Sequence, residues 1–178
     1  MPSHQGQFWE SWSAQVKNQP AKTALRLWPS NETVAFRELD EQTRHWSEAF
    51  RAHSLRAGDR VLVRCGNTPT FIAIFLACSR FRLVMIPIET KTTHEQTRGL
   101  ADRFDASALI TPRGCVPLSS TTAKISVLPQ DTALLKLTSV STGEPLVPRP
   151  EGRGRDEPRA YLGFSFSGAL ACFLFYGW

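Results

Sequence analysis

The residues best suited to chemistry lie in one loop. Thr138-Ser139-Val140-Ser141-Thr142-Gly143-Glu144-Pro145 ends the apolar run ALLKLT. Hydroxyls, a glycine and free backbone N–H groups at the end of a strand can all donate toward one anion, so the run could cradle a phosphate. The same residue types also make ordinary loops, and spacing alone leaves both readings open. No G-x-x-x-x-G-K-[ST] pattern occurs, so this is not a Walker A loop. Ser141 has no His/Asp partner in a recognisable arrangement, which leaves a hydrolase triad unsupported. His4, His45, His53 and His94 have no metal-ligand spacing with one another or with Cys65, Cys78, Cys115 and Cys172. No catalytic residue and no metal ligand is assigned.

The elements that must position this loop are legible from periodicity. Phe8, Trp9, Trp12 and Val16 lie at helical spacing, and Pro20 ends that helix. Runs 23–28 and 33–36 read as strands, joined through the turn Pro29-Ser30-Asn31-Glu32 into a hairpin. Phe36, Leu39, Thr43, Trp46 and Phe50 mark an amphipathic helix over 37–53. A strand over 60–65 follows the turn Gly58-Asp59. A nearly all-apolar helix then starts at Pro69, capped by Asn67 or Thr68. Further strands are expected over 83–88, 107–111, 123–128 and 133–138. A helix capped by Thr92 or Thr93 should run to about Phe104. Strands alternating with helices at this interval predict an α/β fold, a mostly parallel sheet flanked by helices.

The run LLKLTSVSTGEP resembles the phosphate-binding loop of the adenylate-forming superfamily, Thr-Ser-Gly-Ser-Thr-Gly-x-Pro-Lys-Gly. That group includes acyl-CoA synthetases, luciferases and the adenylation domains of peptide synthetases. FRELDEQTRHWSEAFRAHSLRAGDRVLVRCGNTPTFIAIFLACSR and LVMIPIETKTTHEQTRGLADRFDASALIT are similar to upstream stretches of the family, in the family's order. The resemblance covers roughly residues 20–146. It implies the N-terminal subdomain of a two-step ligase. A carboxylic acid attacks the α-phosphate of ATP, with Mg2+, to give an acyl-adenylate and pyrophosphate. The thiol of CoA or a carrier protein then displaces AMP. On this resemblance Thr138, Ser139, Ser141, Thr142 and Gly143 hold the β- and γ-phosphates.

Several positions depart from the pattern. The loop's glycine is Val140, and the lysine after its proline is Leu146. A β-branched residue costs about 1–2 kcal/mol where φ must be positive. A glycine usual in the family is also missing at Phe81-Arg82, and another at Ser54. The family's motifs for adenine, ribose, Mg2+ and the acyl group do not follow residue 146. A fragment of an AMP-forming acyl-CoA synthetase, inactive by itself, is therefore the leading expectation. The alternative is a non-enzymatic pseudo-enzyme or interaction module.

Three segments are expected: 1–146 as the family-like part, 147–160 as a Pro/Gly/Arg-rich linker, and 161–178 as an apolar tail. The tail has no Asp, Glu, Lys or Arg, yet holds both tyrosines. It reads as the product of a reading-frame shift, as a membrane anchor near the short end of the spanning range, or as a packed end. Arg153, Arg155 and Arg159 are nearly cancelled by Glu151, Asp156 and Glu157, which predicts a solvated linker and no nucleic-acid partner. The 178 residues carry a net charge of +5, too small to call for a polyanion by itself. The composition excludes collagen, coiled coil, disulfide scaffold and wholly disordered chain. The first residues, MPSHQGQFWESW, are not a secretory signal, and the scattered cysteines read as free, mostly buried thiols in a cytoplasmic protein. A membrane-associated protein, held through the tail, is the alternative.

Overall fold

A computed structural model describes residues 4–118, 132–135, 138–139 and 145–146. The chain divides into two units, Met1–Lys136 and Leu137–Trp178.

The first unit opens with helix α1 (His4–Asn18) and the antiparallel hairpin β1 (Thr23–Arg26) and β2 (Thr33–Ala35). Helix α2 (Phe36–Ala52) begins where the Glu38 carboxylate accepts the Ala35 N–H at 2.8 Å. Strand β3 (Arg60–Val63), helix α3 (Pro69–Phe81), strand β4 (Val84–Pro87), helix α4 (His94–Phe104) and strand β5 (Ala106–Thr111) follow. The last of these strands turns back into β6 (Gly114–Pro117). The sheet order is β4-β3-β5-β6, parallel except for the β5–β6 hairpin. This is the α/β architecture expected.

Right-handed crossovers explain the layering. The β3-α3-β4 and β4-α4-β5 connections move in opposite directions across the sheet, so α3 and α4 cover opposite faces. Strand alternation separates the two sets of buried residues. On one face Val61, Val63, Met85, Ala108 and Ile110 join Trp12 of α1, Leu39, Trp46 and Phe50 of α2, and Ile74, Leu76 and Cys78 of α3 in one core. On the other, Leu62, Val84 and Ile86 are buried, and α4 buries Thr97, Ala101 and Phe104. Within α2, the buried hydroxyls of Thr43 and Ser47 each donate to the carbonyl four residues earlier at 2.8 Å. Both hydroxyls are thereby paired where α2 packs along α3.

Caps differ in detail from expectation. Thr93 caps α4: its Oγ1 accepts the Gln96 N–H at 3.2 Å, and the Gln96 side chain accepts the Thr93 N–H at 3.0 Å. Thr68 holds the extended N-cap conformation before Pro69 but makes no side-chain cap bond. Its hydroxyl lies 3.5 Å from Cys65 Sγ instead.

One strand departs from expectation. Strand β6 was not expected. Its turn is Pro112-Arg113, followed by Gly114 at φ 144, a conformation that favours glycine. Of the strand expected over 133–138, residues 136–137 lie outside the described residues. Residues 133–135 run parallel to β4: Met85 N–H donates to Ala133 at 3.0 Å and Leu135 N–H to Met85 at 2.9 Å. The strand expected over 123–128 lies outside the described residues.

Candidate functional site

In the second unit, β7 (Thr138–Ser139) pairs antiparallel with β8 (Pro145–Leu146), Thr138 opposite Leu146 and Ser139 opposite Pro145. Residues 140–144 therefore connect two paired strands. Local chemistry accounts for the ends of this connection. Pro145 has no backbone N–H to give, and such a residue is tolerated at the edge or first position of a strand. Thr138 and Ser139 stand at the start of the candidate loop, on β7. Ser141, Thr142 and Gly143 lie outside the described residues.

The segment carries four side-chain hydroxyls, of Thr138, Ser139, Ser141 and Thr142, together with Gly143. Val140 and Leu146 supply neither a side-chain donor nor a charge. Among the described residues, no group of three or more His, Cys, Asp or Glu side chains is placed to hold a metal ion.

In the first unit, Asp40 on α2 is a buried acid. Its Oδ1 accepts the Trp12 indole N–H at 3.4 Å, and its Oδ2 pairs with Arg44. Those partners tie α1 to α2, which makes Asp40 a structural acid. The spacing of Asp40 and Arg44, one helical turn apart, was the available signal.

The thiols are free where described. Cys65 and Cys78 are buried, as expected, while Cys115 is half-buried. Burial pushes the Cys115 thiol up to about 11 and pushes Cys78 still higher, with Cys115 adding to the shift of Cys78. Neither is a nucleophile near neutral pH, since only the thiolate attacks. Cys172 lies outside the described residues. A shallow depression of about 460 Å³ is lined by Glu41, Gln42, His45, Trp46, Thr70 and Pro112. Its lining mixes a carboxylate, an amide, an imidazole and a hydroxyl, and no sequence motif marks it.

Comparison with known proteins identifies the lineage. Residues 12–151 match the family described as AMP-binding enzyme. Among curated relatives, 2-succinylbenzoate–CoA ligase of Salmonella typhimurium is 29% identical over 147 residues, covering 77% of this chain and 31% of that protein. Crotonobetaine/carnitine–CoA ligase of Salmonella paratyphi A is 26% identical over 101 residues, covering 54% and 19%. The chain thus spans a third or less of these relatives' length. Among solved structures, the NpsA N-terminal subdomain of Klebsiella oxytoca, in complex with 3-hydroxyanthranilyl-AMSN, matches in fold with a TM-score of 0.58. The identity is 21%, over 82% of this chain and 39% of that one. The match over residues 12–151 runs from α1 through the hydroxyl-rich loop, and the chain belongs to the AMP-binding enzyme family.

Proposed function

We propose that this chain carries the phosphate-loop part of an AMP-forming acyl-CoA synthetase-like ligase and does not activate an acid by itself. The observation that carries this reading is the family match over residues 12–151, which contains the strand-flanked hydroxyl loop. Members of the family use ATP and Mg2+ and act on carboxylic acids with CoA or carrier-protein thiols. When bound, ATP would supply the phosphate that activates the acid. Thr138, Ser139, Ser141, Thr142 and Gly143 would donate hydrogen bonds to its β- and γ-phosphates. Such donors stabilise charge gathering on the pyrophosphate leaving group. The segments proposed are 1–146 for this role, 147–160 as linker and 161–178 as tail. The free thiols among the described residues support a cytoplasmic setting.

A second reading, a non-enzymatic pseudo-enzyme or interaction module, is favoured by Val140 and Leu146 in the loop. One experiment separates the readings. The purified chain should bind pyrophosphate, and Ser141→Ala with Thr142→Ala should weaken that binding by about tenfold or more, at ~1 kcal/mol per lost hydrogen bond. Carboxylate-dependent ATP–pyrophosphate exchange should stay at background. Exchange above background would overturn the claim of inactivity. Absence of pyrophosphate binding would favour the interaction module. Among the described residues no helix is long and apolar enough to cross a membrane, and the segment proposed as a tether, 161–178, lies outside them.

A further inference from the structure

We propose that Glu41 and His45 hold a divalent transition-metal ion in the shallow depression where α2 meets the start of α3 and the β5–β6 turn. That depression, about 460 Å³ in volume, brings Glu41, Gln42, His45 and Trp46 of α2 together with Thr70 of α3 and Pro112 of the turn. Glu41 and His45 stand one helical turn apart, which places their Cβ atoms about 5–6 Å from each other on one face. Ions such as Zn2+ bind imidazole nitrogen and carboxylate oxygen at about 2.0–2.2 Å, so one ion can bridge the pair. Both side chains are exposed. Among the described residues neither enters an ion pair, and no side-chain hydrogen bond occupies Glu41, Gln42, His45 or Thr70. The His45 ring meets the ring of buried Trp46 edge-on, with centroids 5.9 Å apart, and that packing narrows its orientations.

The lining holds a carboxylate and an imidazole but no lysine or arginine, which suits a cation. An organic cation would need the open face of an aromatic ring, and Trp46 is only 5% exposed. A metal ion needs only point donors. Imidazole beside carboxylate favours Zn2+, Ni2+ or Co2+ over Mg2+ and Ca2+, which take oxygen ligands. The surrounding charges leave the pair available. Arg44 is engaged with Asp40, and the Glu38 carboxylate accepts the Ala35 N–H. Exposed Arg37, one turn before Glu41, and Arg113, next to Pro112, are offset by Glu41 itself and by exposed Glu48. Residues 69–72, the first turn of α3, are uncharged. Of the four histidines, His45 alone has carboxylates three or four residues away, Glu48 and Glu41. Glu48 is not placed as a further ligand, since no three such side chains come together among the described residues. Water would complete the coordination, and the site is open and exchangeable.

The test follows the histidine ring signals of the full chain by NMR while paramagnetic Ni2+ is added. Broadening should reach His45 at lower Ni2+ than His53 or His94, which have no carboxylate one turn away. Loss of a mere supporting partner costs a metal site about tenfold in affinity, so Glu41→Gln should raise the Ni2+ needed at His45 by roughly tenfold or more. Glu48→Gln should change it much less. Glu41→His supplies a second imidazole one turn away and should lower the Ni2+ needed, a gain that misfolding cannot produce. Zn2+ should displace Ni2+ and restore the His45 signal, whereas Mg2+ at the same concentration should not. Equal broadening of His45, His53 and His94, or an unchanged response in Glu41→Gln, would overturn the assignment by reducing it to a lone imidazole. So would weaker binding in Glu41→His, or displacement by Mg2+ as effective as by Zn2+.

Discussion

Ser54 and Arg82 show what single residues do to this fold. Both adopt positive φ, 56 and 55, after the ends of α2 and α3. A left-handed conformation costs a non-glycine residue about 1–2 kcal/mol, part of which glycine returns through its freer unfolded chain. Ser54→Gly and Arg82→Gly should each therefore raise stability by about 0.5–1 kcal/mol, read as a higher denaturant midpoint at unchanged slope. A fall in the midpoint would mean that the side chains make contacts worth more than the strain. These two positions were legible beforehand because the family resemblance places glycine there, whereas Asp105 at φ 49 and Asn31 at φ 59 had no such marker. A second residue-scale effect concerns pH. The Cys115 thiol rises from its ordinary 9.0 to about 11, through burial, and Cys78 shifts the same way. The unfolded chain releases these protons first as pH rises, so it binds fewer of them than the folded chain above pH 9. The stabilisation is complete below pH 9 and is lost as pH climbs through about 11. Denaturant midpoints measured across that interval should fall less steeply for Cys78→Ala with Cys115→Ala than for the parent. Parallel curves would show that the thiols ionise equally in both states.

Helix α4 is the element whose stability depends most on local terms. It has the reciprocal Thr93–Gln96 cap at one end, and it carries Gly99 on an exposed face. A Cβ at Gly99 would meet nothing within 4 Å. Gly99→Ala should gain about 0.8–1 kcal/mol from helix propensity, and Thr93→Ala should lose about 1 kcal/mol with the cap. Thermal unfolding of the two single variants and the double would check both signs. The double should lie near the parent, since a cap and a site two turns on couple weakly. This helix was readable because its cap pattern, T-x-x-Q, and its periodicity agree. Strand β6 was not readable, because four residues after a two-residue Pro-Arg turn give too short an alternation to register. The largely apolar 133–138 run read as one strand, and among its described residues 133–135 pair with β4 while Thr138 pairs with β8. Apolarity marks burial without saying which neighbour supplies the hydrogen bonds.

For the whole molecule the contrast is between a sheet covered on both faces and a final segment unlike it in composition. The sheet was legible because alternating strand and helix patterns leave few topologies once crossovers are right-handed. The hydroxyl loop was legible mainly through resemblance, since Ser, Thr and Gly together also describe an ordinary turn. The family match ends at residue 151, and the chain beyond it turns first Arg/Gly/Pro-rich and then, from 161, entirely uncharged. Arg, Gly and Pro are what GC-rich codons yield when read out of frame, whereas an evolved membrane anchor would carry a longer and less Gly/Ser-diluted apolar run. Translating the same DNA beyond codon 146 in the other two forward frames should therefore uncover a sequence that continues the AMP-binding family. Finding it would make 161–178 an unselected peptide. Finding no continuation in either frame would remove the frame-shift reading and make the tail a selected part of the chain.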